Sequence, residues 1–435
     1  LVLATAAHAD PIYDEIDQTN LPPRPADDWW ARPIDRVIAR IAAYDEDDRP
    51  YSTPARPRDI DGIVALSCER QEGRPCGHGA GFLTELDTAA GYGGIGEAVV
   101  RLRANTGTAG YSDAIAIDRA YANAVIGPAF VEVGRDLLAV GPRARTEVAW
   151  SDHAPPLDQI RVQTARPYRL TDDLRGELLY VVGQLRDAQQ HPPLVSISRV
   201  QLDIADRVEV ALHQELAMGG DGAPSFGVGD FIAEHFRRAD SSAGPNDSSN
   251  RRFGGDIAVH LPGARLYYQL VFEDIRLHVW DALHYDADHL LGVELPWLVV
   301  ELQRTGVRSY EHVPQRTAFT QDFRTVGSPL GPDTQSIYAG VRAGNITPWL
   351  ELVRFSSDTY TFVDHGPITQ ATSGPAELRY RAGVRGRVVL TRELRAEADA
   401  SYEHVSTFAF QPGASRDNLG MMLVLVWQPG GFLLR

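Results

Sequence analysis

Ionisable side chains crowd into the stretch HVWDALHYDADH, which holds His278, Asp281, His284, Asp286, Asp288 and His289. Imidazoles and carboxylates at such spacing suit zinc or calcium. The stretch lacks the i, i+4 histidine pair with an intervening Glu that a zinc-hydrolase helix presents, and it falls between two strand-like segments. An exposed acidic hairpin end is therefore the expected reading, and no metal is assigned. Neither a GxSxG elbow, a P-loop nor a GxGxxG fingerprint occurs; the glycines of GVGDF and GYGGIGE do not link a strand to a helix and read as turns. Carboxylates also cluster at Asp45, Glu46, Asp47 and Asp48 and at Asp172 and Asp173, where solvated faces are the default. No catalytic residue and no cofactor is expected.

The elements that would position such side chains are strands. In PLVSISRVQLDIADRVEVALHQELA, Val200, Leu202 and Ile204 alternate with Gln201 and Asp203. After a turn at Ala205 and Asp206, Val208, Val210 and Leu212 alternate with Arg207 and Glu209, the period of a hairpin. The second strand runs into GGDGAP (Gly219 to Pro224), a helix-like GDFIAEHF, a polar loop and a new strand from Phe253. Val100, Leu102 and Ala104 likewise face away from Arg101 and Arg103. Leu378, Tyr380, Ala382 and Val384 oppose Glu377, Arg379, Arg381 and Arg385.

Each strand thus has one apolar and one charged face. A soluble sandwich would bury the apolar face, whereas an outer-membrane barrel turns it to lipid around a polar lumen. Strand length favours the barrel, because roughly 9 to 11 residues cross a bilayer obliquely. So do small residues on the apolar faces and a girdle expected from Tyr121, Trp150, Tyr268, Trp349, Tyr380, Tyr402 and Trp427. At roughly 20 residues per strand and connection, the chain after residue 81 yields about 18 antiparallel strands. The expected fold is all-β, a large transmembrane barrel over residues 82–435.

A net charge of −16 argues against nucleic acid, since phosphate binding needs a clustered basic surface. The basic residues, 42 in all, are arginines. The apolar run LLGVELPWLVVEL is cut by Glu294, Pro296 and Glu301, too short for a spanning helix. Residues 1–9, LVLATAAHA, read as a signal-peptide remnant, so export is expected. Residues 10–81 are rich in Pro and Asp; after Pro33, the spacing of Ile34, Val37, Ile38 and Ile41 predicts a helix in a small N-terminal periplasmic plug region. Cys68 and Cys76 lie in it, and a disulfide between them would stabilise by roughly 2.5 kcal/mol on the chain-entropy view. A zinc site adding His78 fits no established ligand spacing.

The order hairpin, GGDGAP, GDFIAEHF, polar loop and FGGD resembles the Wzi family of capsule-assembly outer-membrane proteins. Ala223 stands where that family usually has Arg, and Ile232 and Ala233 replace a Trp and an Asp of its helix. VGRDLLAVGPRAR, VFEDI and VGSPLGPDT resemble further family segments in the same order. The resemblance implies a monomeric surface protein of the outer membrane that contacts its lipid and binds capsular or extracellular polysaccharide as a lectin, without catalysis. Glu215, Asp221, Glu273 and Asp274 become the candidate polysaccharide contacts, with Gly219, Gly220, Gly222 and Pro224 shaping the family turn. Asp221 reads first as a brace that bonds the turn or caps the next helix, with the polysaccharide contact as the alternative. Two other functions stay open: a porin-like channel, and a secreted β-rich polysaccharide-active enzyme.

Overall fold

The structure, a computed structural model, describes residues 29–44, 79–93, 95–106, 115–142, 145–151, 154, 156–186, 192–220, 223–236, 249–273, 279–307, 309–310, 319–321, 324–361, 369–372 and 374–429. Eighteen long antiparallel strands close on themselves. They are β1 (Trp29–Tyr44), β2 (Gly79–Tyr92), β3 (Gly96–Thr106), β4 (Ile115–Ile126), β5 (Ala129–Asp136) and β6 (Leu157–Thr164). Next come β7 (Leu174–Gln184), β8 (Leu194–Ile204), β9 (Val208–Met218), β10 (Ser249–Leu261), β11 (Ala264–Phe272) and β12 (Ala287–Leu295). The ring finishes with β13 (Leu298–Arg304), β14 (Thr334–Val341), β15 (Ile346–Phe355), β16 (Glu377–Val389), β17 (Leu394–Ser406) and β18 (Ser415–Trp427). Strand β18 pairs with β1 from Val37↔Trp427 to Tyr44↔Gly420, so no edge is left between them.

The alternation in the sequence is the alternation of the wall, turned inside out relative to a soluble protein. Leu350, Leu419 and Met421 stand about two-thirds exposed on the outer face (64%, 65% and 64%), while Arg381, Arg385 and Glu397 are buried inside. Buried charges need partners, and the lumen supplies them across neighbouring strands. Arg101 meets Asp87 at 2.6 Å, Arg103 meets Asp118 at 2.6 Å and Arg385 meets Asp399 at 3.0 Å. The turn at Ala205 and Asp206 forms as expected: both have positive φ (52° and 54°), and the Arg207 amide donates to the Ile204 carbonyl at 3.0 Å. That is the mirror-image turn whose twist matches a hairpin.

Three expectations are corrected. Residues 29–44 form a strand and not the helix expected around Ile34 to Ile41. The barrel needs a partner for β18, and β1 supplies it: Arg36 and Ile38 turn inward, Arg36 coming within 3.7 Å of Asp87. The wall therefore starts at Trp29 and not at residue 82, and takes 29–44 and 79–81 from the region assigned to a helical plug. The rest of 10–81, with the Cys68–Cys76 pair and residues 1–9, lies outside the described residues, as do Asp221, Gly222, Asp274 and His278. The aromatic girdle is also smaller than expected. Tyr380, Tyr402 and Trp427 are exposed on the outer wall, but Tyr121 and Trp349 are buried on its inner face and Trp150 is buried in a loop. Gly383 explains the inward Trp349: a Cβ there would sit 2.5 Å from the indole, so its absence makes room for the ring.

The connections sort by length. Short turns join β2 to β3, β4 to β5, β8 to β9, β10 to β11 and β12 to β13, whereas long segments follow β5, β9, β11, β13 and β15 at the other end. Outer-membrane barrels place short turns in the periplasm and long loops outside. Among those loops, helix α1 (Val228–Phe236) is capped by Asp230, whose carboxylate accepts from the Gly227 amide at 2.8 Å.

Candidate functional site: a filled lumen under an aromatic rim

Two of the long loops do not stay outside; they turn into the barrel. The loop after β5 forms a small hairpin, the Val140 amide donating to the Trp150 carbonyl at 2.7 Å. Leu138, Val140, Val148, Ala149, Trp150 and Ala154 pack against inward-facing Leu157, Val181, Val195, Ile197, Val271 and Leu290 in one apolar core. Tyr310, Phe319 and Val326, from the loop after β13, join it. The loops are stitched together: the Ser151 amide donates to the Val326 carbonyl at 2.8 Å, and the Tyr310 hydroxyl donates to the Val148 carbonyl at 2.8 Å. Burial, and then the nearby Asp288 carboxylate, raise the Tyr310 pKa well above its ordinary value, which keeps it a donor.

Buried arginines tie this insert to the wall. Arg252 on β10 lies 2.8 Å from Glu215 on β9, 3.0 Å from Glu273 at the end of β11 and 2.8 Å from Asp288 on β12. It also donates to the carbonyls of Ala149 at 3.0 Å and Val148 at 2.9 Å, with its guanidinium 4.5 Å from the centre of the Tyr310 ring. Asp288 in turn accepts from the Gly306 amide at 2.8 Å and from the Ser309 hydroxyl. One wall residue therefore holds both loops. Deeper in the lumen, Arg145 of the first loop reaches Glu301 on β13 at 3.0 Å and Glu351 on β15 at 2.8 Å, and stacks over Tyr338 at 4.0 Å. Burial alone would lower its pKa, but the Glu351 and Glu301 charges outweigh that and hold it above the usual arginine value. Gln269 bonds both strands of the insert hairpin, accepting from the Val148 amide and donating to the Val140 carbonyl, each at 2.9 Å.

Of the candidate sugar contacts, Glu215 and Glu273 are brought together, both buried against Arg252. Gly219 and Gly220 have positive φ (71° and 97°), as the turn requires, and the Ala223 amide closes it on the Gly220 carbonyl at 3.1 Å. The His–Asp stretch does not converge. Asp288 goes to Arg252, and the His289 Nε2 faces the Leu283 carbonyl at 2.9 Å. Among the described residues no group of three or more His, Cys, Asp or Glu side chains is placed to hold a metal ion.

What this stretch does build is a rim. Trp280 is 82% exposed, His284 is exposed, and Tyr285 packs edge-on against His284 (4.5 Å) and against Tyr360 from the loop after β15 (5.8 Å). The Tyr360 hydroxyl bonds Asp333 at 3.4 Å, and Arg304 donates to the His284 carbonyl. Partial burial, then the Arg304 charge, lower the His284 pKa and favour the neutral ring. Rings and polar groups side by side are the chemistry that holds sugars: apolar faces stack on rings, and hydroxyls bond to the polar groups. Arg252, Arg145 and this aromatic set were not anticipated from sequence, although the arginine directly before the strand residues FGGDIAV was a signal to follow.

A closed antiparallel barrel with an apolar outer wall, a paired-charge interior and long loops at one end is an outer-membrane β-barrel, and that membrane is where this protein resides. The family model of the capsule assembly protein Wzi matches residues 64–419, more than half of the chain. The protein belongs to that family. The structure is similar to Wzi of Escherichia coli, described as a carbohydrate-binding β-barrel involved in group 1 capsule assembly. The two share 13% identity with a TM-score of 0.62, over 91% of this chain and 85% of that one. OccK3 (OpdO) of Pseudomonas aeruginosa aligns at 12% identity and a TM-score of 0.49, over 94% of this chain and 97% of that one. A BenF-like porin from Pseudomonas fluorescens aligns at 9% identity and a TM-score of 0.48, over 92% and 98%. No curated protein sequence matches the chain.

Proposed function

We propose that this protein binds capsular or extracellular polysaccharide at its outward rim, as a lectin-like monomer without catalysis, and so helps attach or assemble the capsule. The observation that carries the reading is the combination of a lumen filled by its own loops with an exposed aromatic rim at the loop end. A filled lumen offers sugar a surface and not a passage. Membership of the capsule-assembly family, and the carbohydrate binding described for the Escherichia coli barrel, support the same reading. In it, Trp280 and the Tyr285–Tyr360 pair stack on sugar faces, while Glu215 and Glu273 brace the insert through Arg252. Asp221 and Asp274, in the segments that follow β9 and β11 in sequence, are further candidate contacts. A porin-like channel fits less well, because Arg145 and the Arg252 cluster pin the insert across the lumen. A glycan array on refolded protein tests the proposal: saturable binding to acidic or neutral surface polysaccharides is expected, and an array without signal alongside single-channel conductance would replace it with the channel.

A further inference from the structure

Helix α1 is packed the wrong way round for a soluble protein. His235 bonds Ser196 on β8 at 2.9 Å and Tyr180 on β7 at 3.2 Å, while Glu234 accepts from the Ser249 hydroxyl at 2.9 Å and lies 3.3 Å from Arg251, both on β10. Register places all four partners on the outer face of the wall: Tyr180 sits opposite Ser198, Ser196 opposite Leu216, and Leu216 opposite Arg251. The helix thus bridges β8 and β10 on the outside of the barrel. It crosses β9, where outward Leu216 and Met218 are buried, whereas Leu212 further along the same face is 57% exposed. With its polar side spent on the wall, α1 turns Val228 (78% exposed), Ile232 (55%) and Phe236 (85%) outward at i, i+4 and i+8.

We propose that α1 is an interfacial anchor whose Val228–Ile232–Phe236 stripe inserts among acyl chains of the outer leaflet. The occupant follows from continuity: directly below α1 the same wall presents Val200, Leu202 and Leu212 to lipid, so the stripe extends an apolar belt at its upper border. Helices with an apolar stripe and a polar opposite face lie in that boundary layer. The flank beside α1 is shaped for lipid as well. A depression of about 590 Å³ runs along Val133, Ile160, Val182 and Leu194. Asp158 closes its top, bonded by Arg135 at 2.6 Å and approached by Arg186 at 3.8 Å.

Photocrosslinking tests this in intact outer membranes. p-Benzoyl-phenylalanine replaces Phe236, with Leu350 on the lipid-facing wall as positive control and Gln411 in an outer loop as negative control. The expected result is a lipopolysaccharide adduct at positions 236 and 350 and none at 411. An adduct at 350 but none at 236 overturns the proposal. Should the position-236 photoprobe fail to fold, as judged by heat-modifiable migration, Phe236→Trp in vesicles with brominated acyl chains decides instead. Quenching of the added emission supports insertion, and an unquenched, water-exposed spectrum overturns it.

Discussion

Arg252 is the single side chain on which the filled lumen most depends, and Arg252→Met removes its charge while keeping its length. The substitution leaves Glu215, Glu273 and Asp288, all buried, without the guanidinium that lies within 3.0 Å of each of them. It also frees the carbonyls of Val148 and Ala149 in the insert. Breaking a buried ion pair by removing one partner costs about 3–5 kcal/mol, and here one cation serves three anions, so the upper part of that range is expected. The assay is urea unfolding in detergent micelles, with heat-modifiable migration as a check that the barrel assembles. Adding Glu215→Gln and Asp288→Asn to Arg252→Met removes two of the stranded charges and recovers part of the loss, a rescue that simple loss of packing would not show. A shift below about 1 kcal/mol for Arg252→Met, or a triple variant no more stable than the single one, would refute the view that this cluster fastens the loops.

Ala205→Gly relieves a positive φ at the hairpin turn and stabilises the barrel by about 1 kcal/mol, read from the same urea midpoints. Arg304→Gln moves the His284 titration upward in an NMR pH series. Because the folded pKa of His284 lies below its unfolded value, its contribution to stability is present at higher pH and lost as pH falls from about 6.5 through the folded value. An unchanged midpoint would remove Arg304 as a cause. Mass spectrometry of the unreduced protein is expected to find Cys68 and Cys76 two hydrogens lighter than free thiols; both free would end the disulfide proposal.

The wall was readable because period-2 alternation survives wherever one face meets lipid and the other meets paired charges, as at Tyr380, Ala382 and Val384 against Arg379, Arg381 and Arg385. Strand β1 was hidden for a local reason: the register slips between Arg32 and Arg36, which breaks the alternation and leaves Ile34, Val37, Ile38 and Ile41 at helical spacing. The site was less readable. Glu215, Arg252, Glu273 and Asp288 meet only because β9, β10, β11 and β12 are neighbours, and four separated positions carry no mark of that. The insertion of the loops after β5 and β13 depends on contacts more than 100 residues apart, such as Arg252 with Val148 and Ala149, which no local pattern reports. The HVWDALHYDADH stretch shows the same limit: Asp288 turns inward onto Arg252 as structure, and the aromatic members make the rim.

The most direct test of the account is capsule retention by cells that lack the native gene and carry either the wild-type protein or Trp280→Ala with Tyr360→Ala. Both proteins are to be confirmed as heat-modifiable bands in the outer membrane, and cell-associated polysaccharide is to be measured against polysaccharide shed to the medium. The account predicts that wild type retains capsule and that the rim variant, equally abundant and equally folded, sheds several-fold more of it. Equal retention by the two would contradict the assignment of polysaccharide binding to this rim.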